Sequence, residues 1–423
     1  MSPFSPSSSE SSHSHQSEKT LPVSFSETVL DSVSSDRARA SIPEQYQSTF
    51  DELRNGILAF CAEFQIPVSA LSNKEIFGTY LASPKIPQRR MEEMVLLFHK
   101  LDYLIANKKP FVEELSETLE ETERLYKLEE RYTAQVNLFK ELGILRDGVM
   151  IGIDNKEYPV PTLEQIALKL RSPECREFFE TKYCQGFSKI LLVPFGMSLD
   201  MMRSFCRLFL RQYKKNHPSF SLDIPDNIVS SSLSYSGADG EDPEVDIVYN
   251  PKSFDRDHRG KSKRQLLKEQ TQDPDIIPGW RILLLQSSHH DDPGFLEIPR
   301  KGEGDVRGLG IIRHDIEAGK SAEEYLSMLR VDQQKSTAGY YGESGMMPED
   351  WMMASMIHLQ ETGEPLDDII SGRDSMAYLL GASFYDHVPV PIAYWHPDHR
   401  MILAEALSDN REEGVGTRTV VVV

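Results

Sequence analysis

Residues 345–354 read Gly-Met-Met-Pro-Glu-Asp-Trp-Met-Met-Ala, and this stretch decides the fold of the C-terminal half of the chain. Proline is favoured at the first position of a helix, because the N–H that it lacks would have no partner there. We therefore predict that a helix begins at Pro348, with Glu349 and Asp350 in its first turn, where negative charge complements the helix dipole. The apolar side chains at helical spacing form a stripe that faces a core: Trp351, Met352, Met356 and Leu359.

Outside this stretch, short strand-like runs alternate with helices and long loops. The predicted strands are residues 189–193, 246–249, 280–285, 377–382, 392–395 and 419–423. Thr162 with Gln165, and Ser321 with Glu324, match the capping-box pattern that begins a helix. Few strand spacings fit a parallel βαβ sheet, so the pattern indicates an α+β protein with long loops. Gly381 and Gly416, inside or beside strand-like runs, predict bulges or close approach of backbones.

The chain divides into four segments. Residues 1–40 are rich in serine and poor in large apolar side chains, which predicts a disordered leader. Residues 41–145 carry apolar side chains at helical spacing and glutamates between them, which predicts a helical hairpin or bundle. Residues 146–185 read as a hairpin and a helical connector, and residues 186–423 as the C-terminal domain.

The helical segment leaves two alternatives open. Its apolar pattern runs as one helix from Phe111 to Leu142 but slips between Leu119 and Leu125. No strict heptad is therefore sustained, which favours a self-contained bundle over a dimeric coiled coil. The acidic face of this segment makes an interaction adaptor an alternative function.

Composition excludes some classes of function. The chain has 423 residues and a net charge of −20, which argues against general binding of nucleic acid or anionic membranes. No apolar run reaches the roughly 18 residues needed to span a bilayer. The four cysteines, at positions 61, 175, 184 and 206, have no zinc-type spacing and are predicted to be reduced cysteines in the core. We expect a cytoplasmic protein without a cofactor.

No catalytic motif stands out. Nothing resembles a nucleophile elbow or a Ser-His-Asp arrangement. His396 and His399 lie three residues apart in a proline-containing loop, so a metal-assisted enzyme remains an alternative. The sequence favours a protein that is not an enzyme and has no metal site.

Three C-terminal blocks together resemble formylglycine-generating-enzyme-like proteins. Residues 345–354 are similar to the family segment in which a proline opens a helix bearing an acidic residue, a tryptophan and an alanine. Residues 380–384, Leu-Gly-Ala-Ser-Phe, look like its Gly-Gly-Ser-Trp strand, and residues 414–421 look like its terminal Gly-Phe-Arg-Val-Val strand. The resemblance implies a C-type-lectin-like fold over residues 186–423, with a small antiparallel sheet, flanking helices and long loops.

The chain departs from the oxidising members of that family, because no cysteine follows Cys206 and their thiol chemistry is absent. The resemblance extends to the ligand-binding variable proteins of diversity-generating retroelements, which display residues before the terminal strand on a binding face. Here that stretch is residues 384–410. It supplies the candidate binding residues: Tyr385, Asp386, His387, Tyr394, Trp395, His396, Asp398, His399, Arg400, Asp409 and Asn410.

Within this set, Trp395, Tyr385, Tyr394 and Arg400 are the expected anchors, because Tyr, Trp and Arg dominate binding energy at interfaces. The other side chains would supply polar specificity. We therefore predict a non-catalytic ligand- or protein-binding protein whose partner is a protein or another macromolecule. The sequence does not define its oligomeric state.

Overall fold

The computed structural model describes most of the chain after residue 36. The described residues are 30, 33, 37–72, 74–81, 86–108, 113–172, 174–222, 229–231, 247–273, 275–289, 292–333, 335–369, 375–384 and 389–423. They fall into two compact units that divide between Leu115 and Ser116. The leader predicted over residues 1–40 lies almost wholly outside the described residues. Within those residues, no helix is both long and apolar enough to cross a membrane.

The helices are α1 Arg37–Ala40, α2 Gln47–Glu63, α3 Lys74–Leu81, α4 Gln88–Asn107, α5 Glu113–Tyr126, α6 Leu128–Leu142, α7 Leu163–Leu170, α8 Arg176–Cys184, α9 Leu199–Asn216, α10 Lys263–Gln270, α11 Ala322–Asp332 and α12 Pro348–Thr362. The strands are β1 Val149–Ile151, β2 Glu157–Pro159, β3 Phe187–Val193, β4 Val229–Ser231, β5 Ile247–Tyr249, β6 Arg281–Gln286, β7 Val306–Arg307, β8 Arg313–His314, β9 Glu343–Gly345, β10 Met376–Tyr378, β11 Ala382–Phe384, β12 Pro389–His396, β13 Arg400–Leu407, β14 Val415–Thr417 and β15 Thr419–Val422. This content confirms the α+β class.

The first unit is helical. Helices α2 and α4 pack against each other around Phe50, Ile57, Phe98 and Leu101, all of them buried. Both helices agree with the apolar spacing of the sequence, whereas α3 was not predicted. Helix α2 ends at Glu63, and Gln65 just after it takes a left-handed conformation with φ of 55°.

The helix predicted from Phe111 to Leu142 is two helices, so that prediction was wrong. Lys127 separates α5 from α6 in a left-handed conformation with φ of 48°. The break is stabilised by Arg131, whose Nη1 donates to the carbonyl oxygens of Tyr126 and Ser188. The irregular spacing of apolar residues between Leu119 and Leu125 lies just before this break in the sequence. The division between the two units at Leu115 falls inside the segment that the sequence assigned to one helical region over residues 41–145.

Two sheets organise the second unit. One has the strand order β3-β6-β15-β9, and every neighbouring pair in it is antiparallel. The other has the order β14-β10-β12-β13-β4, in which the outer pairs β10–β14 and β13–β4 are parallel. The first sheet is thus a small antiparallel sheet, as expected, whereas the second sheet is mixed.

The predicted strand over residues 377–382 is two strands in different sheets. Strand β10 pairs with β12, and β11 pairs with β5. Gly381 lies between them, where a Cβ atom would come within 2.6 Å of the carbonyl oxygen of Gly345. A Cβ on Gly416 would likewise meet Ile298 at 2.4 Å, so the close approach predicted at both glycines is confirmed.

Helix α12 begins at Pro348, as predicted, and residues 348–357 are all buried. The predicted apolar stripe is thus too narrow, since the helix is surrounded by protein. In its acidic first turn, Asp350 has partners outside the helix. It accepts from Met347 N and forms an ion pair with Arg281 through two hydrogen bonds. The capping boxes at Thr162 and Ser321 are also confirmed.

Candidate functional site

The structure divides the predicted binding residues into three groups. Tyr385, Asp386 and His387 lie outside the described residues. Tyr394, Trp395, His396, Asp398, His399 and Arg400 lie at the tip of the β12–β13 hairpin. Asp409 and Asn410 follow the far end of β13.

The hairpin is the longest pairing in its sheet. Its register joins Pro389 with Leu407 at one end and His396 with Arg400 at the other. Strand residues rise by about 3.4 Å, so its two ends are roughly 24 Å apart. Asp409 and Asn410 therefore do not join the tip residues, and the single contiguous surface predicted over residues 384–410 is wrong.

Asn410 has a structural role at that far end. Its carbonyl oxygen accepts from the Tyr378 hydroxyl at 3.1 Å, and its Nδ2 donates to Glu412 at 2.6 Å. These bonds hold the turn after β13 against β10. The residue is therefore engaged within the chain.

Trp395 is not displayed, so its prediction as a surface anchor is wrong. Trp395 is only 3% exposed, and its ring centroid lies 5.6 Å from that of Phe220. Side chains alternate along a strand, and here Ala393 and Trp395 face the core while Tyr394 and His396 face outward. Trp395 thus fixes the hairpin to the core.

The outward residues form what we call the tip cluster: Tyr394, His396, Asp398, His399 and Arg400. Asp398 is the centre of its polar contacts. Its amide donates to His396 Nδ1 at 3.1 Å, and its Oδ2 lies 3.2 Å from the same nitrogen and 3.3 Å from Arg400 Nη2. The imidazole can thus accept from the amide when neutral and donate to the carboxylate when protonated.

His399 has an unfavourable backbone conformation. It is the last residue of the three-residue loop between His396 and Arg400, and its φ is 59°. Three-residue hairpin loops place a left-handed residue there, which is normally glycine. A side chain in that conformation costs about 1–2 kcal/mol. The loop therefore holds a partly exposed imidazole at an energetic cost.

Two further tip groups have unused hydrogen-bonding capacity. Arg400 Nε is buried and has no partner within the described part of the chain. The Tyr394 ring lies 6.2 Å from that of His396, and burial raises the pKa of its hydroxyl, with the Arg400 charge acting against this shift. A buried donor without a partner is unfavourable, so Arg400 Nε adds a local energetic cost within the tip cluster.

The metal alternative rested on His396 and His399, which both lie in the tip cluster. Among the residues that the structure describes, no group of three or more His, Cys, Asp or Glu side chains is arranged to hold a metal ion.

Sequence reasoning missed a groove at one end of the β3-β6-β15-β9 sheet. Its lining comes from several separate segments, including Lys169, Arg281 and Tyr341. No local pattern marks it, because its lining comes from helices, strands and loops that lie far apart along the chain. Comparison of the chain with family models, with curated proteins and with solved structures found no match.

Proposed function

We propose that the chain is a non-catalytic binding protein that engages a protein or another macromolecule through the tip cluster. The observation that carries this proposal is the left-handed His399. Backbone strain persists only where the surrounding structure imposes it, and it is concentrated at functional sites. Glycine would relieve the strain, and a role of the imidazole in recognition would account for its presence at this exposed turn.

The scaffold beneath the tip cluster supports the same function. Strand β12 is paired on both sides, with β10 and β13, and Trp395 fixes it to the core. Binding residues are commonly presented on loops that a rigid scaffold positions. Such a loop loses little conformational entropy on binding, which favours affinity.

The chemistry of the tip cluster indicates the kind of partner. Tyr394 and Arg400 are residue types that supply binding energy, and the histidines and Asp398 supply directional hydrogen bonds. The global charge of −20 disfavours a polyphosphate backbone, so we propose a protein surface or a comparably mixed polar ligand.

A C-type-lectin-like fold, and with it a relationship to retroelement variable proteins, is part of this proposal. The three blocks behind the resemblance contact one another: Gly345 pairs with Thr419, and Gly381 N donates to Met346 O at 2.9 Å. A search of the genomic neighbourhood would test the relationship. A near-copy of the codons for residues 384–410 beside a reverse transcriptase gene would support it, and the absence of both would contradict it.

The adaptor alternative is less well supported. Glu121, on the acidic helix α5, forms ion pairs with Arg171 and Arg176, so part of its charge is already neutralised within the second unit. The cytoplasmic location remains a prediction, which fractionation of cells would test.

The proposed function can be tested by comparing captured partners. The full chain and its variants Tyr394→Ala and Arg400→Gln would be used as baits in extracts of native cells, with Val306→Ala as a control on another exposed hairpin. We expect a partner that the full chain and the control retain and that both tip variants lose. Equal capture by all four proteins would contradict the proposal.

A further inference from the structure

The groove at the end of the β3-β6-β15-β9 sheet has a volume of about 730 Å³. Small-molecule sites are clefts of roughly 300–1,000 Å³ with mostly apolar walls and a few polar groups. Its apolar lining includes Leu266, Ile276, Ile277, Trp280, Tyr341 and Val422. Size and lining therefore both fit a small organic ligand.

Arg281 is one of the residues that line this groove, and its guanidinium is held in a fixed position. Its Nε and Nη2 each donate to one oxygen of the buried Asp350 at 3.1 Å, and its side chain is only 10% exposed. Its Nη1 makes no hydrogen bond within the described residues. The buried polar atoms that lack a partner there do not include Nη1, so this atom retains some exposure to solvent. Nη1 is thus not fully buried, and the ion pair with Asp350 holds it in place. A fixed guanidinium suits recognition of a carboxylate or phosphate.

Lys169 is a second cationic group on the groove wall. Burial lowers the pKa of its ammonium, while the charges of Asp275 and Asp273 act against this shift. It forms no ion pair closer than 4.0 Å within the described residues. Its donors are therefore available to a ligand.

The acidic side chains that line the groove already have partners. Glu343 binds Arg313 at 2.9 Å and Lys182 at 2.8 Å. Glu269 binds Lys261 at 2.7 Å, and Asp273 accepts from Asp275 N at 3.0 Å. Glu343 and Glu269 are thus already in ion pairs, whereas Lys169 is not, and Arg281 Nη1 adds a further donor.

We propose that this groove binds a small amphipathic anion, with its carboxylate or phosphate head on Arg281 Nη1 and Lys169 and its apolar body against Ile276 and Ile277. The site is separate from the tip cluster and does not depend on the function proposed there. It adds a small-molecule ligand to a protein whose sequence indicates none.

Binding would be measured on the full chain by calorimetry and by fluorescence of Trp280, which lines the groove. Decanoate, decyl phosphate and decylamine would serve as probes, because the first two differ in head group and the third reverses the charge on the same apolar body. We expect saturable binding of at least one anion at one site per chain, with the stronger anion identifying the head group. Absence of saturable binding by both anions, or equal binding of decylamine, would overturn the proposal.

Variants locate the site. Ile276→Asp adds a negative charge to an exposed part of the wall and should weaken binding of the anion by about tenfold or more, and Lys169→Gln should also weaken it. Val306→Asp makes the same kind of change at an exposed residue outside the groove lining and should leave the affinity unchanged. Equal loss in the groove variants and in this control would overturn the proposal. Arg281 is left in place, because its removal would leave Asp350 without its ion-pair partner.

Discussion

The buried ion pairs of the second unit predict a large difference between two chemically identical substitutions. Glu343 is 0% exposed and binds Arg313 through both carboxylate oxygens, Lys182 through Oε1 and Thr419 through Oε2. Burial raises its pKa, but the charges of Arg313 and Lys182 outweigh burial, so that the net shift is downward. Glu269 pairs with Lys261 at 2.7 Å, and its side chain is 52% exposed. The two sites thus differ mainly in exposure to water and in the number of partners.

Glu343→Gln removes the charge and leaves two buried cations with too few anions. Breaking a buried ion pair in this way costs about 3–5 kcal/mol. Arg313 retains a contact with Asp315 at 3.3 Å, which places the expected loss near the lower value, at about 3 kcal/mol. Glu269→Gln disrupts an exposed pair and should cost about 1 kcal/mol or less.

Urea unfolding followed by tryptophan fluorescence would measure the difference. The chain has three tryptophans, Trp280, Trp351 and Trp395, and all lie in the second unit, so the signal reports that unit alone. If Glu343→Gln does not fold, Thr419→Val removes one hydrogen bond to the same carboxylate and should still cost about 1–2 kcal/mol. Losses in free energy of unfolding within 1 kcal/mol of each other for Glu343→Gln and Glu269→Gln would refute the reasoning.

Three further predictions follow from single residues. Burial lowers the pKa of His358 from 6.5 to about 4, so the unfolded chain takes up a proton before the folded one does, and stability should fall by up to about 3 kcal/mol as the pH drops from 7 to 4. In urea unfolding, His358→Asn, which keeps an acceptor for Phe295 N, should flatten that part of the pH profile. An unchanged profile would contradict the prediction. His399→Gly should raise the free energy of unfolding by about 1 kcal/mol while weakening partner capture, whereas a loss of stability would argue against strain in the loop. Gly381→Ala should lower the melting temperature measured by circular dichroism, because its Cβ would come within 2.6 Å of Gly345 O, and an unchanged value would contradict that close approach.

Local signals predicted part of the fold correctly. The start of α12 at Pro348 and the capping boxes at Thr162 and Ser321 depend only on residues that are close in sequence, so the local sequence is sufficient to predict these helix starts. The break at Lys127 depends instead on Arg131, which binds a carbonyl in a distant strand. Contacts of this kind, like the order of strands in each sheet, are not encoded by spacing along the chain.

The candidate site was predicted only in part, and the reason is similar. Residues 392–395 are all apolar or aromatic, so the two-residue period of a strand could not show that Tyr394 faces outward and Trp395 inward. Strand β12 also extends further than the predicted residues 392–395, which separates Asp409 and Asn410 from the tip. The left-handed conformation of His399 could not be predicted from the sequence, because the turn imposes it on a residue that is not glycine.

Site-specific photocrosslinking tests the central claim most directly. A photoreactive phenylalanine analogue would replace Tyr394 in the tip cluster and, in a second protein, Val306 on the β7–β8 hairpin. After irradiation in native cells, we predict one defined macromolecular adduct at position 394, lost when Arg400→Gln is added, and no such adduct at position 306. No adduct at position 394, or the same adduct at both positions, would contradict binding through the tip cluster.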